Sequence, residues 1–259
     1  MITSTSNRNV KRLVQILNKP KVRKEQGVFA VEGMKMFLEA PRERISEVYV
    51  SEKFISVPSN LSALNGYPYE ILKEEVFRHV SDTVTPQGIM ALVKMKDTSL
   101  ENMHLKKNGN LFLILEDIRD PGNLGTIVRS AEGAGVSGII MTKNTVDIYN
   151  PKVIRSTMGS VYRVPFFYTD NPKAAVESLK ALDTVIMAAH LDGEEYYYRQ
   201  DMTGNTAFII GNESNGISRE MADMADVLIK IPMQGNVESL NASVAASVLM
   251  YEAFRQNNI

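Results

Sequence analysis

Three polar stretches of this 259-residue chain carry the side chains whose type and spacing could do chemistry. The last of them holds Asn236, Glu238, Ser239 and Asn241 at the mouth of a C-terminal helical pattern. Ser239 reads as the N-cap of that helix, its hydroxyl accepting an otherwise orphan backbone N–H. A helix mouth with spare donors is a place to hold a carboxylate or a phosphate. The other two stretches are Glu116-Asp-Ile-Arg-Asp-Pro-Gly-Asn-Leu-Gly-Thr-Ile-Val-Arg129 and Ile210-Gly-Asn-Glu-Ser-Asn-Gly-Ile-Ser218, each following an apolar run. Taken singly each is ordinary, because Gly and Asn are what strand-to-helix turns contain. Other chemistry is scarce. The chain has no Cys, so it has no disulfide, no thiolate metal site and no thiol nucleophile. His79, His104 and His190 lie far apart without ligand spacing, read as structural, and no metal site is expected.

The elements that must position these stretches follow from periodicity. From residue 111 strands alternate with helices, the signature of a mainly parallel α/β sheet. The expected strands are 111–115, 138–141, 161–168, 184–189, 207–210 and 227–231, and the expected helices 124–134, 151–158, 172–182, 218–224 and 239–255. Most of these strands are continuous apolar runs, as when both faces of a sheet are covered. In such sheets ligands bind beyond the carboxyl ends of the strands, where the polar stretches fall. On the last helix Leu240, Val244, Val248 and Tyr251 make an apolar stripe. Beside it Ala242, Ala245, Ala246 and Ala253 form a row of small residues that lets another backbone approach closely.

The first part reads as a smaller α/β domain: a basic helix, strand 28–31, helix 33–40, strands 45–50 and 69–72, helix 74–79 and strand 89–94. The length suits two domains, and the expected division is 1–97, a polar linker 98–109, and 110–259. With 44% hydrophobic and 23% charged residues the chain can bury an ordinary core. No apolar run reaches the ~20 residues of a membrane helix, which excludes that class of membrane protein. The Arg-rich, acid-poor start resembles a mitochondrial presequence but also fits a folded domain; a cytoplasmic protein is expected.

A net charge of −1 argues against a uniformly basic nucleic-acid binder. Yet residues 1–24 carry Arg8, Lys11, Arg12, Lys19, Lys21, Arg23 and Lys24 without one acid. Val10, Leu13, Val14, Ile16 and Leu17 place an apolar face on the same helix, leaving the cations on the other side. A solvated helix face accounts for such a run; phosphate contact, with Arg8, Lys11, Arg12, Lys21 and Arg23 as candidates, is the alternative.

Gly133-Ala-Gly135-Val-Ser-Gly138 matches the dinucleotide pattern G-x-G-x-x-G but in reversed context, following a helix and leading into a strand. No acid lies about twenty residues on, where the chain reads Arg155-Ser-Thr-Met158. These glycines are expected to end a helix and turn into a strand, which disfavours a nicotinamide enzyme.

In their order and spacing the three polar stretches resemble the signature motifs of the SpoU-type (TrmH-like) RNA ribose 2′-O-methyltransferases of the SPOUT superfamily. Phe29-Ala-Val-Glu-Gly33 and Thr85-Pro-Gln-Gly-Ile-Met-Ala91 resemble, more loosely, that family's ribosomal-protein-like substrate-binding domain. The resemblance implies a C-terminal trefoil-knotted, mainly parallel sheet domain behind a smaller N-terminal α/β domain. It implies S-adenosylmethionine as cofactor, an RNA substrate, ribosomal before transfer RNA, and a homodimer. Asn123, Arg129, Glu213, Ser239 and Asn241 match the family's active-site positions. Gly211, Asn212, Gly216, Ile231, Met233 and Leu240 match positions around the cofactor, much of that contact being backbone.

Methyl transfer from a sulfonium needs no metal, but it needs the ribose 2′-hydroxyl held in line and relieved of its proton. A guanidinium, with a pKa above ~12, is an implausible base. Arg129 is therefore assigned to the adjacent phosphate and the developing alkoxide. The bland alternatives are an Arg129–Glu132 ion pair across one helical turn, a cap role for Asn123 and a surface charge for Glu213. At the level of function, the alternatives are an RNA-binding ribosome-assembly factor without turnover and a nucleotide-dependent oxidoreductase.

Overall fold

The computed structural model describes residues 1–258 except Asp97, His104 and Asn108. The expected linker's His104 and Asn108, and the Asp97 boundary, lie outside the described residues. The chain divides into two compact units, the first made of Met1–Lys96 with Asp147–Tyr162 and the second of the rest.

In the first unit α1 (Arg8–Asn18) and α2 (Pro20–Gln26) lead into β1 (Val28–Glu32). Then come α3 (Met34–Glu39), β2 (Ile45–Ser51), α4 (Glu52–Ile55), α5 (Pro58–Leu61), β3 (Glu70–Leu72), α6 (Glu74–Val80) and β4 (Ile89–Lys94). The sheet order is β1-β4-β2-β3, with β4 antiparallel to both neighbours and β3 parallel to β2. Val10, Leu13, Ile16 and Leu17, spaced along one face of α1, are buried with Leu72, Val76, Phe77, Met90 and Leu92. Asn7 caps α1 by accepting the Asn9 N–H at 2.8 Å. The turn expected at Thr85–Gly88 is present: Gly88 has φ +83, and a Cβ there would lie 2.6 Å from Ser51 Oγ.

The second unit contains β5 (Leu111–Leu115), α7 (Pro121–Gly133) and β6 (Gly138–Thr142). The next helix, α8 (Pro151–Thr157), belongs to the first unit and packs on β1. There the Tyr149 ring lies 4.5 Å from that of Phe29, and Tyr162 Oη donates to the Met36 carbonyl at 2.9 Å. Back in the second unit follow β7 (Phe166–Thr169), α9 (Pro172–Lys180), β8 (Val185–Ala189), β9 (Glu195–Tyr196), β10 (Thr206–Ile210), α10 (Arg219–Ala222), β11 (Val227–Lys230) and α11 (Ala242–Asn258).

The seven strands run in the order β7-β6-β5-β10-β8-β11-β9, every pairing parallel. β5, β6 and β10 are buried at every position, which is why they read as apolar runs, broken only by Thr142 at the end of β6 and Thr206 at the start of β10. Ile210 pairs with Leu115, so the carboxyl ends of β5 and β10 are level. α7 and α11 pack together, and α11 also packs on β10. Since β11 lies beyond β8, the chain from β11 to α11 must cross the carboxyl ends of β8 and β10.

Two expected elements differ. Strand 161–168 is in fact a 3₁₀ turn, Ser160–Tyr162, followed by β7 from Phe166. Pro165 between them has no N–H to give a ladder and keeps the earlier residues out of the strand. The last helix begins at Ala242, three residues after the expected start. The glycine pattern behaves as expected: α7 ends at Gly133, Gly135 has φ +69, and β6 starts at Gly138.

Candidate active site

At the end of β5 the backbone first takes the left-handed region at Asp117, φ 54. That conformation is uncommon outside Gly, and Asp117 is held in it by residues at the end of β6 and just beyond. Its carboxylate accepts from Thr142 Oγ1 at 2.7 Å and from Asn144 Nδ2 at 3.1 Å, and its own N–H donates to Thr142 Oγ1 at 2.9 Å. The chain then enters α7, where Pro121 stands at the first turn and the Asp120 carboxylate accepts the Asn123 N–H at 2.8 Å. Asp120, not Asn123, is therefore the cap, and the Asn123 amide is available for other work.

That amide joins the three polar stretches. Asn241 Nδ2 donates to Asn123 Oδ1 at 2.9 Å, and Asn123 Nδ2 donates to Glu213 Oε1 at 2.8 Å. Asn241 is held in turn by α11: its Oδ1 accepts from Ser243 N–H at 2.9 Å and from Ser243 Oγ at 2.7 Å. Asn241 thus takes the capping position expected of Ser239. Ser239 is exposed, lies outside the helix, and has no side-chain hydrogen bond among the described residues.

The second stretch is shaped by its own backbone. Asn212 and Gly216 exchange hydrogen bonds, Asn212 N–H to Gly216 O at 3.0 Å and Gly216 N–H to Asn212 O at 2.9 Å. The Asn212 side chain fills the turn, accepting from Ser214 N–H at 2.9 Å and donating to the Asp117 carbonyl at 2.8 Å. A Cβ on Gly211 would lie 2.2 Å from the Gly216 carbonyl carbon, so glycine at 211 is demanded by the loop itself. Glu116 closes the arrangement, its N–H bound to Ile210 O at 2.9 Å and its carboxylate accepting Ser218 N–H at 2.8 Å.

The third stretch, residues 231–240, makes no backbone–backbone hydrogen bond among the described residues. Ile231, Met233 and Leu240 are half-buried there, and nothing lies within 4 Å of a Cβ placed on Gly235. Free backbone donors and acceptors beside half-buried apolar side chains suit an adenosine-bearing cofactor gripped largely by main chain. Asn212 and Gly216 belong to the loop after β10 whose Glu213 is tied through Asn123 to Asn241.

Arg129 is exposed and has no ion pair or side-chain hydrogen bond among the described residues. Its expected alternative partner, Glu132, is bound instead by Arg163. Six residues along α7, Arg129 stands ~9 Å from Asn123 along the helix axis, outside the hydrogen-bonded set. Its guanidinium is free for a ligand.

The basic N-terminal residues divide. Arg8 and Lys11 are exposed, and Lys21 is 88% exposed with only a 3.9 Å approach to Glu25. Arg12 is engaged by Glu47 at 2.7 Å and by Gln26 Oε1 at 2.7 Å. Arg23 corrects the expectation of phosphate contact, because it is 2% exposed. Its guanidinium donates to the Ile16 and Leu17 carbonyls at 2.6 and 2.9 Å and to Asp147 Oδ2 at 2.6 Å. On the last helix the small-residue row packs against its neighbours as expected, while part of the apolar stripe is left in solvent. Ala242, Ala246 and Ala253 are buried, and α11 is exposed at Val244, Tyr251 and Phe254. A polar cleft between Asn110, Gly135, Thr206 and Asn257 opens at the amino ends of β5 and β10, the edge where such sheets do not bind ligands.

Residues 110–251 match the SpoU rRNA Methylase family, and residues 7–91 match the MRM3-like substrate binding domain. The chain is 31% identical over 252 residues to the 23S rRNA (guanosine(2553)-2′-O)-methyltransferase RlmP of Bacillus subtilis, covering 96% of this chain and 97% of that one. It is 30% identical over 247 residues to the 23S rRNA (guanosine-2′-O-)-methyltransferase RlmB of Xylella fastidiosa, covering 92% and 99%. The crystal structure of the SpoU methyltransferase AviRb from Streptomyces viridochromogenes with the cofactor AdoMet superposes with a TM-score of 0.86 at 25% identity, covering 96% and 98%.

Proposed function

The chain belongs to the SpoU rRNA Methylase family, and we propose that its substrate is a guanosine ribose of 23S ribosomal RNA. It is an S-adenosylmethionine-dependent RNA 2′-O-methyltransferase. The observation that carries the reading is the relay Asn241–Asn123–Glu213, which ties the three motif stretches together at the carboxyl ends of the sheet.

S-adenosylmethionine, when bound, supplies an electrophilic methyl group on a sulfonium. In this reading the main chain of 231–240, with Ile231, Met233 and Leu240, holds it, and Gly211, Asn212 and Gly216 shape the opposite wall. Asn123, Glu213 and Asn241 keep the walls in register, so that the geometry exists before substrate arrives. Arg129 holds the phosphate beside the target ribose and stabilises the negative charge that grows on the 2′-oxygen. Ser239 stands at the same mouth as a free hydroxyl. Arg8, Lys11 and Lys21 meet the RNA backbone, with Arg12 and Arg23 left to hold the first unit together.

The proposal includes the family's trefoil knot, division into a substrate-binding domain over 1–97 and a methyltransferase domain over 110–259, and a cytoplasmic location. It also includes a homodimer formed on the face of α11 that shows Val244, Tyr251 and Phe254 to solvent, since a second copy would cover them. Among the described residues no helix is long and apolar enough to cross a membrane. The decisive experiment is methyl transfer from labelled S-adenosylmethionine into total RNA of a strain lacking the gene, with the 2′-O-methylated position mapped. Labelling of transfer RNA alone would overturn the substrate assignment. Binding without transfer would leave an assembly factor.

A further inference from the structure

On the edge of the sheet β9 interrupts a run of unusual composition, Glu194-Glu195-Tyr196-Tyr197-Tyr198-Arg199. The chain reaches it by a turn that only glycine permits: a Cβ on Gly193 would lie 2.9 Å from the Ile229 carbonyl carbon. β9 then pairs with β11, Tyr196 opposite Lys230, so the tyrosines begin one residue short of the stretch assigned to the cofactor.

The rings are ordered on one another. Tyr196 and Tyr198 stack with centroids 5.4 Å apart and planes 11° from parallel, and Tyr197 stands edge-on to Tyr198 at 5.3 Å. The Arg199 guanidinium and the Lys230 ammonium each lie 5.3 Å from the centre of the Tyr196 ring. Tyr198 is nevertheless 47% exposed.

A core role does not account for a half-exposed, pre-stacked aromatic pair with two cations gathered on it. Aromatic planes beside cations are what proteins use to hold unpaired nucleotides, because every base has a π-face to stack. We propose that Tyr198, backed by Tyr196 with Arg199 and Lys230 gathered on that second ring, is a stacking platform for an unpaired base of the RNA substrate. This rests on the reading of the chain as an RNA methyltransferase. The acids Glu194 and Glu195 limit the platform to base stacking rather than a long phosphate track. Strand alternation turns Glu195 to the face opposite Tyr196.

The test uses the full chain, deproteinised ribosomal RNA from a strain lacking the gene, and the variants Tyr198→Ala and Tyr198→Phe. Tyr198→Ala should weaken RNA binding about 5- to 100-fold, the range of one lost base stack, while Tyr198→Phe, which keeps the ring, binds like the unaltered chain. S-adenosylmethionine affinity and the thermal melt should be unchanged in both. Ultraviolet cross-linking should attach RNA to the peptide containing Tyr198. Unchanged RNA affinity in Tyr198→Ala, in a chain whose unaltered form binds and methylates the RNA, overturns the platform alone. No RNA binding by the unaltered chain overturns the platform and the enzymatic reading together. Dissociation of a dimer by Tyr198→Ala in sedimentation would assign the surface to a second copy instead.

Discussion

The mouth at the carboxyl ends of β5, β10 and β11 and the basic helices α1 and α2 look alike as sequence, since each is a dense run of groups able to meet phosphate. The fold treats them in opposite ways. At the mouth, residues 118 and 90 positions apart are brought into one relay, Asn241 to Asn123 to Glu213, with Arg129 left unpaired. In the basic helices two of the five expected RNA contacts are turned to internal duty. Arg23 binds Asp147 and the carbonyls that end α1, and Arg12 serves Glu47. Glu47 also accepts the Tyr49 hydroxyl; burial and then that hydrogen bond push the phenol well above its ordinary pKa. A charge counted in a sequence becomes available charge only if no buried carbonyl or carboxylate lies within its reach.

Substitutions can break or sharpen this contrast. The largest effect belongs to Arg129→Lys, which keeps the charge but loses the planar fork. Single-turnover transfer should fall ~100- to 1,000-fold with S-adenosylmethionine affinity unchanged. Transfer at the unaltered rate would remove Arg129 from the mechanism. Arg23→Ala should instead appear in denaturant unfolding. It strands Asp147, whose side chain is 26% exposed, and should cost about 3 kcal/mol of stability. RNA affinity of the folded fraction should be untouched; a large loss there would restore Arg23 as a phosphate contact.

Asn123→Ala removes both links of the relay. Because the site is part-exposed, transfer should drop ~5- to 100-fold rather than vanish, with little change in the melt. A fall in stability with normal transfer would make the relay purely structural. Reversal of Lys11 and Lys21 should leave transfer at saturating RNA intact and reduce the slope of log affinity against log salt by about 1 for each cation lost. An unchanged slope would mean that α1 and α2 face away from the RNA.

The smallest effect calibrates the others from outside both regions. Asp226 is bound by Lys180 at 2.6 Å and by the Ile186 N–H at 2.9 Å. Burial opposes its charge, but these hydrogen bonds outweigh it and hold the carboxyl below its usual pKa. Its stabilisation is therefore present at neutral pH and is lost as pH falls through that lowered value. With side chains about 40% exposed, Asp226→Asn should cost only ~0.5 kcal/mol at pH 7, and the difference should close in acid.

Periodicity and turn residues alone determined most of the succession of strands and helices along the chain, because strands buried on both faces are mostly apolar, as β5 is throughout and β6 and β10 are but for a terminal Thr. The stretches that hold Asn123, Glu213 and Asn241 were legible because polar side chains after apolar runs fall at the carboxyl edge of a parallel sheet, but those three residues were singled out by the resemblance to the SpoU-type motifs. Tertiary structure decided what each of them touches. The cap of α11 passed from Ser239 to Asn241, and that of α7 rests on Asp120, because capping depends on where the backbone leaves the helix rather than on residue type. The alanine row of α11 was legible as a close-packing face and is buried, but that Val244 and Tyr251 of the apolar stripe stay exposed was decided by which face of the helix α7 and β10 cover. Asp117, whose strained backbone presents its carbonyl to Asn212, carried no sequence signal, because a left-handed conformation at a non-glycine residue is imposed by its neighbours in space. The same holds for Arg23: nothing local to α2 shows that Asp147, 124 positions away, will be beside it.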